Sequence, residues 1–208
     1  MNSKRSLVRR TAAVAGSAAA ALVLAACGGN GDSSAGHDGH SQKSPSASAP
    51  ATQGQQNSAD VAFAKGMIPH HRQAVEMADL APSRAGSAEV KNLAEQIKKA
   101  QDPEIKTLSG WLTSWGEEVP AEGAMDHSEH GMSGMMTAEE MDKLKNSSGK
   151  AFDTAFLEMM IKHHEGAVSM AETEKTDGSY KPAQKMADAI ITSQTAEITQ
   201  MNKLLGKN

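Results

Sequence analysis

Aromatic residues make up only 3% of this 208-residue chain, and there is a single cysteine, Cys27. So few rings exclude an aromatic-rich sandwich core, and one thiol excludes both a disulfide framework and a thiolate metal cage. Common catalytic signatures are missing too: there is no phosphate-cradling glycine loop, no Ser/His/Asp ordering and no Cys-x-x-Cys-His haem attachment. Basic residues number 21 against 25 acidic ones, and with so few aromatics this argues against nucleic acid as a partner. Methionine, with 13 residues, takes the place of the missing rings. An interior of methionine, alanine and aliphatic side chains favours an all-α fold over sheet.

Residues 1–26 read as a secretion signal, in which Lys4, Arg5, Arg9 and Arg10 precede an Ala/Val/Leu run closing on Leu24-Ala25-Ala26-Cys27. That closing tetrad resembles a bacterial lipobox. It implies cleavage before Cys27 and lipidation of its thiol, which would anchor the chain to the outer face of the cytoplasmic membrane. Arg9-Arg10 fits the twin-arginine export pattern only loosely. Loss of the signal would take the formal charge from −4 to −8, which favours a cation as ligand. Residues 27–57, rich in Gly, Ser, Ala, Pro and Gln, read as a flexible tether, with His37 and His40 incidental to it.

From Asp60 onward the chain repeats itself at an offset of 93 residues. Met67-Ile68-Pro69-His70-His71 returns as Met160-Ile161-Lys162-His163-His164, and Ala74-Val75-Glu76-Met77-Ala78 as Ala167-Val168-Ser169-Met170-Ala171. Farther along, Gln101, Glu104 and Ile105 return as Gln194, Glu197 and Ile198. Two unrelated amphipathic helices would share apolar class but not His-His, Phe and Gln-x-x-Glu-Ile in one register, so the repeat marks a duplicated unit. Each copy has helical period in both halves. Phe63, Met67, His70, Ala74 and Met77 share one stripe, and Val90, Leu93, Ile97, Ala100, Glu104, Ile105, Leu108 and Leu112 another. Repeat one spans 58–116, a crossover 117–150 and repeat two 151–208, giving one four-helix domain over 58–208. Breaks are expected near Pro82, at Gly116, at Asp177-Gly178 and at Gly206, with kinks at Pro69 and Pro103. Pro182 suits the first turn of the last helix, and Thr137-x-x-Glu140 the capping box of a short helix in the crossover.

Each His-His pair has a methionine three positions before it and another six after it. On a helix, Met67 lies one turn below His70 and His71, so thioether and imidazole can reach one ion. Imidazole suits several transition metals, whereas thioether selects for soft Cu(I), and a Met/His set without thiolate therefore points to copper. The candidate ligands are Met67, His70, His71, Met77, Met160, His163, His164 and Met170, with Met77 and Met170 evenly balanced between ligand and core filler. The crossover adds Met125, His127, His130, Met132, Met135 and Met136, either as a flexible chelator or as a Met-rich lid over the bundle. Asp60, Asp153 and Glu165 are expected to be the only carboxylates near the pairs, and no Glu stands three residues before any of the four paired histidines. A ferritin-type di-iron centre is therefore not expected, and neither is an enzyme.

The doubled motif Met-Ile-x-His-His-x-x-Ala-Val-x-Met-Ala, with its Gly/Met-rich crossover, resembles a bacterial secreted family catalogued as a domain of unknown function. The resemblance covers residues 58–206. It implies a ferritin-like four-helix bundle of two hairpins, with CopM-type members that bind copper in the periplasm. The expectation is an extracytoplasmic lipoprotein that sequesters copper, as Cu(I) and also Cu(II), or exchanges it with a donor or acceptor protein of the envelope. The alternatives are a protein-interaction module with structural His pairs and a copper or haem redox protein. A shared crossover fold would bring the two His-His pairs toward each other at mid-bundle, and affinity would fall below about pH 6.5 as imidazole protonates.

Overall fold

A computed structural model of the chain describes residues 55–122 and 134–207. The signal and lipidation expectations, Cys27 included, lie outside these residues, as do Met125, His127, His130 and Met132. The described part is helical: α1 spans Ser58–Arg84, α2 Ala88–Trp115, α3 Ala138–Asn146, α4 Gly149–Asp177 and α5 Lys181–Leu204. Among the described residues no helix is long and apolar enough to cross a membrane.

The helix ends follow local chemistry. Asn57 and Asp60 form a reciprocal capping box at the start of α1, and Ser87 caps α2 through the Val90 amide. Thr137 and Glu140 form the expected box on α3, and Pro182 sits in the first turn of α5. Caps of this kind contribute about 1 kcal/mol each. Gly116, with φ +75°, ends α2 in the left-handed conformation. The break expected near Pro82 falls just beyond it, where α1 ends at Arg84 and α2 begins at Ala88. Pro82 therefore lies inside the last turn of α1, which closes shortly after it. Ala81 is fully buried beside it, the Ala85 amide donates to the Ala81 carbonyl, and Arg84 reaches the Ser147 carbonyl. The inward face of α2 departs from the expectation at one position, where Ala100 is exposed and Gln101 is buried in its place.

The bundle consists of two hairpins, α1 with α2 and α4 with α5, joined along α1 and α4. Short α3 rests on α1 and α4. The central helices are antiparallel, as the end contacts show. Asn57 donates to the Asp177 carbonyl at one end, and at the other Ala85 pairs with Gly149. Two aspartates at equivalent repeat positions fasten each hairpin to the turn of the other. Asp60 accepts from the backbone amides of Ser179 and Tyr180, and Asp153 from those of Gly86 and Ser87. These carboxylates are therefore structural staples and do not contribute to the site.

At the Asp60 end the symmetry fails. Burial works to raise the Asp60 pKa, but hydrogen bonds from the Asn57, Tyr180 and Ser179 amides, with the Glu174 carboxyl beside it, outweigh it and hold the group below its ordinary value. Glu174, 1% exposed, is pushed up to about 8 by burial and then by the neighbouring Asp60. It is a protonated partner to an ionised one. Its counterpart in the first repeat is Ala81.

Two apolar clusters fill the bundle. One joins the C-terminal half of α1 and the start of α2 to the start of α4 and the end of α5, with Met77, Leu93, Ile97, Phe152, Phe156, Met160 and Met201. The other joins the opposite halves through Phe63, Met67, Ile68, Leu108, Leu112, Ala167 and Ile190. Each large side chain so buried contributes roughly 1.5–3 kcal/mol.

Candidate metal centre

On every long helix the apolar residues of one cluster give way to polar ones before the other cluster begins. On α1 the interruption is His70-His71, on α4 His163-His164, on α2 Gln101 and Glu104, and on α5 Gln194 and Glu197. These eight residues make a polar layer at mid-bundle. The four histidines are 0% exposed, Gln101 2% and Gln194 3%. Burying so many polar groups is costly unless they are partnered, so the layer is maintained at the expense of stability.

The two central helices bring His70 and His163 together in a tilted contact, with ring centroids 3.8 Å apart and planes inclined by 43°. The His164 ring lies 6.4 Å from that of His163. The expected convergence of the two pairs at mid-bundle is therefore present. His163 is held well below its ordinary pKa by burial and then by the imidazoles of His70, His164 and His71, which keeps it neutral with a lone pair to donate.

The flanking helices supply what sequence proximity alone did not show. Glu104 Oε2 lies 2.7 Å from His71 Nε2, and Glu197 Oε2 lies 2.6 Å from His164 Nε2. The expectation that Asp60, Asp153 and Glu165 are the only nearby carboxylates is thus corrected, since the nearest ones come from positions 33 residues away in each hairpin. The signal was the repeated Gln-x-x-Glu-Ile, whose Gln and Glu both face the layer. The Nδ1 atoms of His71 and His164, both amide atoms of Gln101 and the Oε1 of Gln194 are buried with no hydrogen-bond partner. Unsatisfied groups at this density mark a place that takes water or an ion.

Met67 precedes His70 by one turn from the side of one cluster, and Met160 precedes His163 from the side of the other; both are fully buried. Because α1 and α4 are antiparallel, these two thioethers flank the imidazole pair from opposite sides. Met77 packs within the first cluster and half-buried Met170 against the second. Met136 is likewise buried in the first cluster, while Met135 is half-buried. Among the described residues no three His, Cys, Asp or Glu side chains group as a metal cage.

The ends of the crossover are fixed to the turn of α1 that follows His70-His71. Arg72 donates to the carbonyls of Pro120 and Ala121, while buried Gln73 donates to the Met136 carbonyl and accepts from its amide. Gly134, at φ +85°, passes so close to α4 that a Cβ would stand 2.6 Å from the Lys162 carbonyl oxygen and 3.0 Å from that of His163. Only glycine tolerates both the dihedral and the approach.

Residues 60–205 match the family described as domain of unknown function DUF305. The chain belongs to this DUF305 family. A DUF305 protein from Streptomyces coelicolor is 35% identical, with a TM-score of 0.65 over 72% of this chain and 93% of that one. A DUF305 fragment from Deinococcus radiodurans is 27% identical, with a TM-score of 0.65 over 73% of this chain and 98% of that one. CopM in its Cu(II)-bound form is 39% identical, with a TM-score of 0.62 over 70% of this chain and 94% of that one. CopM structures also exist in Cu(I)-bound and silver-bound forms. No curated protein matches the sequence.

Proposed function

We propose that this DUF305 chain binds copper outside the cytoplasmic membrane and sequesters it or hands it on, without turning over a substrate. The observation that carries the reading is the pairing of His70 with His163 at 3.8 Å, between the buried thioethers of Met67 and Met160. Neutral imidazole and thioether are the donor set that soft Cu(I) prefers, and imidazole also suits Cu(II). Complete burial of the four rings suits retention more than catalysis, because a substrate would have to reach the ion. Support also comes from CopM, at 39% and 36% identity in its Cu(II)- and Cu(I)-bound forms. The Streptomyces coelicolor relative is designated a secreted protein. In this reading Cys27 carries the lipid anchor, residues 27–57 form the tether, and a copper-donating or copper-accepting envelope protein is the partner. In this reading the Met and His side chains between Met125 and Met136 are further soft donors.

The internal contacts of His71 with Glu104 and His164 with Glu197 favour a second reading, in which the layer is purely structural and the bundle is an interaction module. Titrating Cu(I) against a competing chelator separates the two. The copper reading expects His70→Ala combined with His163→Ala to abolish tight binding while the helical content persists. Unchanged binding in that variant assigns the histidines to structure alone.

A further inference from the structure

We propose that Glu104 and Glu197 are positioning residues that fix His71 and His164 as Nδ1 donors, so that the layer offers copper two further imidazole nitrogens of defined tautomer. The proposal rests on the copper reading above and deepens it.

The geometry has two independent parts. Each glutamate oxygen lies within 2.7 Å of an Nε2 atom, and a carboxylate can only accept, so Nε2 must carry the hydrogen. A neutral imidazole has one N–H, which leaves the lone pair on Nδ1. That Nδ1 is the atom found buried and without a hydrogen-bond partner in both His71 and His164. The arrangement occurs twice at equivalent repeat positions, on two different pairs of helices. A carboxylate behind a ligating imidazole orients the ring and raises its basicity, and losing such a partner typically weakens metal binding by about 10- to 100-fold.

Nδ1 is also the ring nitrogen nearer the backbone, so an ion held there sits close to its own helix. One turn toward the N-terminus, at i−4, that helix carries Met67 for His71 and Met160 for His164. The amides of Gln101 and Gln194 stand one turn before the two glutamates and bring buried oxygen atoms without a hydrogen-bond partner to the same layer. The layer therefore has a twofold set of Nδ1 and thioether donors beside the central His70–His163 pair. This set suits a soft monovalent ion of the copper and silver class.

The test uses the full chain, metal-free and labelled with 15N-histidine, at mildly alkaline pH. Long-range 1H–15N correlation spectra of the wild type should show His71 and His164 as Nε2–H tautomers. Glu104→Ala with Glu197→Ala should turn both into tautomer mixtures and weaken Cu(I) binding by about 10- to 100-fold in chelator competition. Glu104→Gln with Glu197→Gln should keep the tautomer and most of the affinity, because the amide oxygen still accepts from Nε2–H. An Nδ1–H tautomer in the wild type overturns the proposal, and so do folded Ala variants with unchanged tautomer and affinity. If the Ala variants do not fold, the wild-type tautomer and the Gln pair still decide it. A wild type with the Nε2–H tautomer but no copper binding overturns the copper reading and leaves the tautomer assignment supported.

Discussion

His70 and His163 occupy the same position in two copies of one hairpin, and their rings meet at 3.8 Å across the antiparallel seam of α1 and α4. Duplication alone explains this meeting. When two equivalent helices pack antiparallel about a pseudo-twofold axis, a residue near the axis faces its own counterpart. The same relation places Met67 and Met160 on opposite sides of the pair.

The thioethers test the softness of the site. Met67→Leu with Met160→Leu keeps nearly the same apolar volume, so each substitution should cost less than about 1.5 kcal/mol of stability. Cu(I) affinity, measured by chelator competition, should fall much more than Cu(II) affinity. Equal loss for both oxidation states would show that sulfur is not part of the site.

The buried carboxyl pair makes stability depend on pH. Glu174 titrates at about 8 in the folded chain, above the ordinary carboxylate range, so between those limits the native state binds more protons than the unfolded state. Its stabilising protonated form is fully present below the ordinary glutamate pKa and is lost as pH rises through about 8. Thermal midpoints should therefore fall across this window, the opposite of the usual carboxylate trend. Glu174→Gln, which removes the titrating carboxyl next to Asp60 at nearly the same size, should flatten the profile and raise the midpoint at alkaline pH. A wild-type midpoint that stays constant from weakly acid to alkaline pH would contradict the assignment.

Gln73 holds one end of the crossover through both backbone groups of Met136. Gln73→Ala leaves a buried amide and a buried carbonyl unsatisfied, at about 1–3 kcal/mol for each. Denaturant unfolding should register that loss, and amide exchange at Met136 should accelerate well beyond any change in α5. Protection equal to wild type at Met136 would mean that the clamp is not formed in solution.

Much of this architecture is legible in the sequence because the repeat is so well preserved. The stripes Phe63-Met67-His70-Ala74-Met77 and Leu93-Ile97-Leu108-Leu112 are buried as their period requires, and the Thr137–Glu140 box starts α3 where its spacing places it. The roles that could not be read depend on tertiary register. Asp60 and Asp153 look like neighbours of the His pairs in sequence, yet they sit in N-terminal turns and reach across to the loop of the other hairpin. Glu104 and Glu197 look remote, yet the hairpin turn brings them alongside His71 and His164. Pro82 marks a boundary to within a turn: it lies in the last turn of α1, which ends just beyond it at Arg84. Glu174 corresponds to Ala81 in the first repeat, so the repeat gave no hint of a buried carboxyl there.

Anomalous diffraction at the copper absorption edge, from crystals of the Cu(I)-loaded chain, tests the central claim most directly. The account predicts a peak in the layer between α1 and α4, within bonding distance of a ring nitrogen of His70 or His163 and of the sulfur of Met67 or Met160. Peaks confined to the crossover or the surface, with none in the His layer, would contradict it.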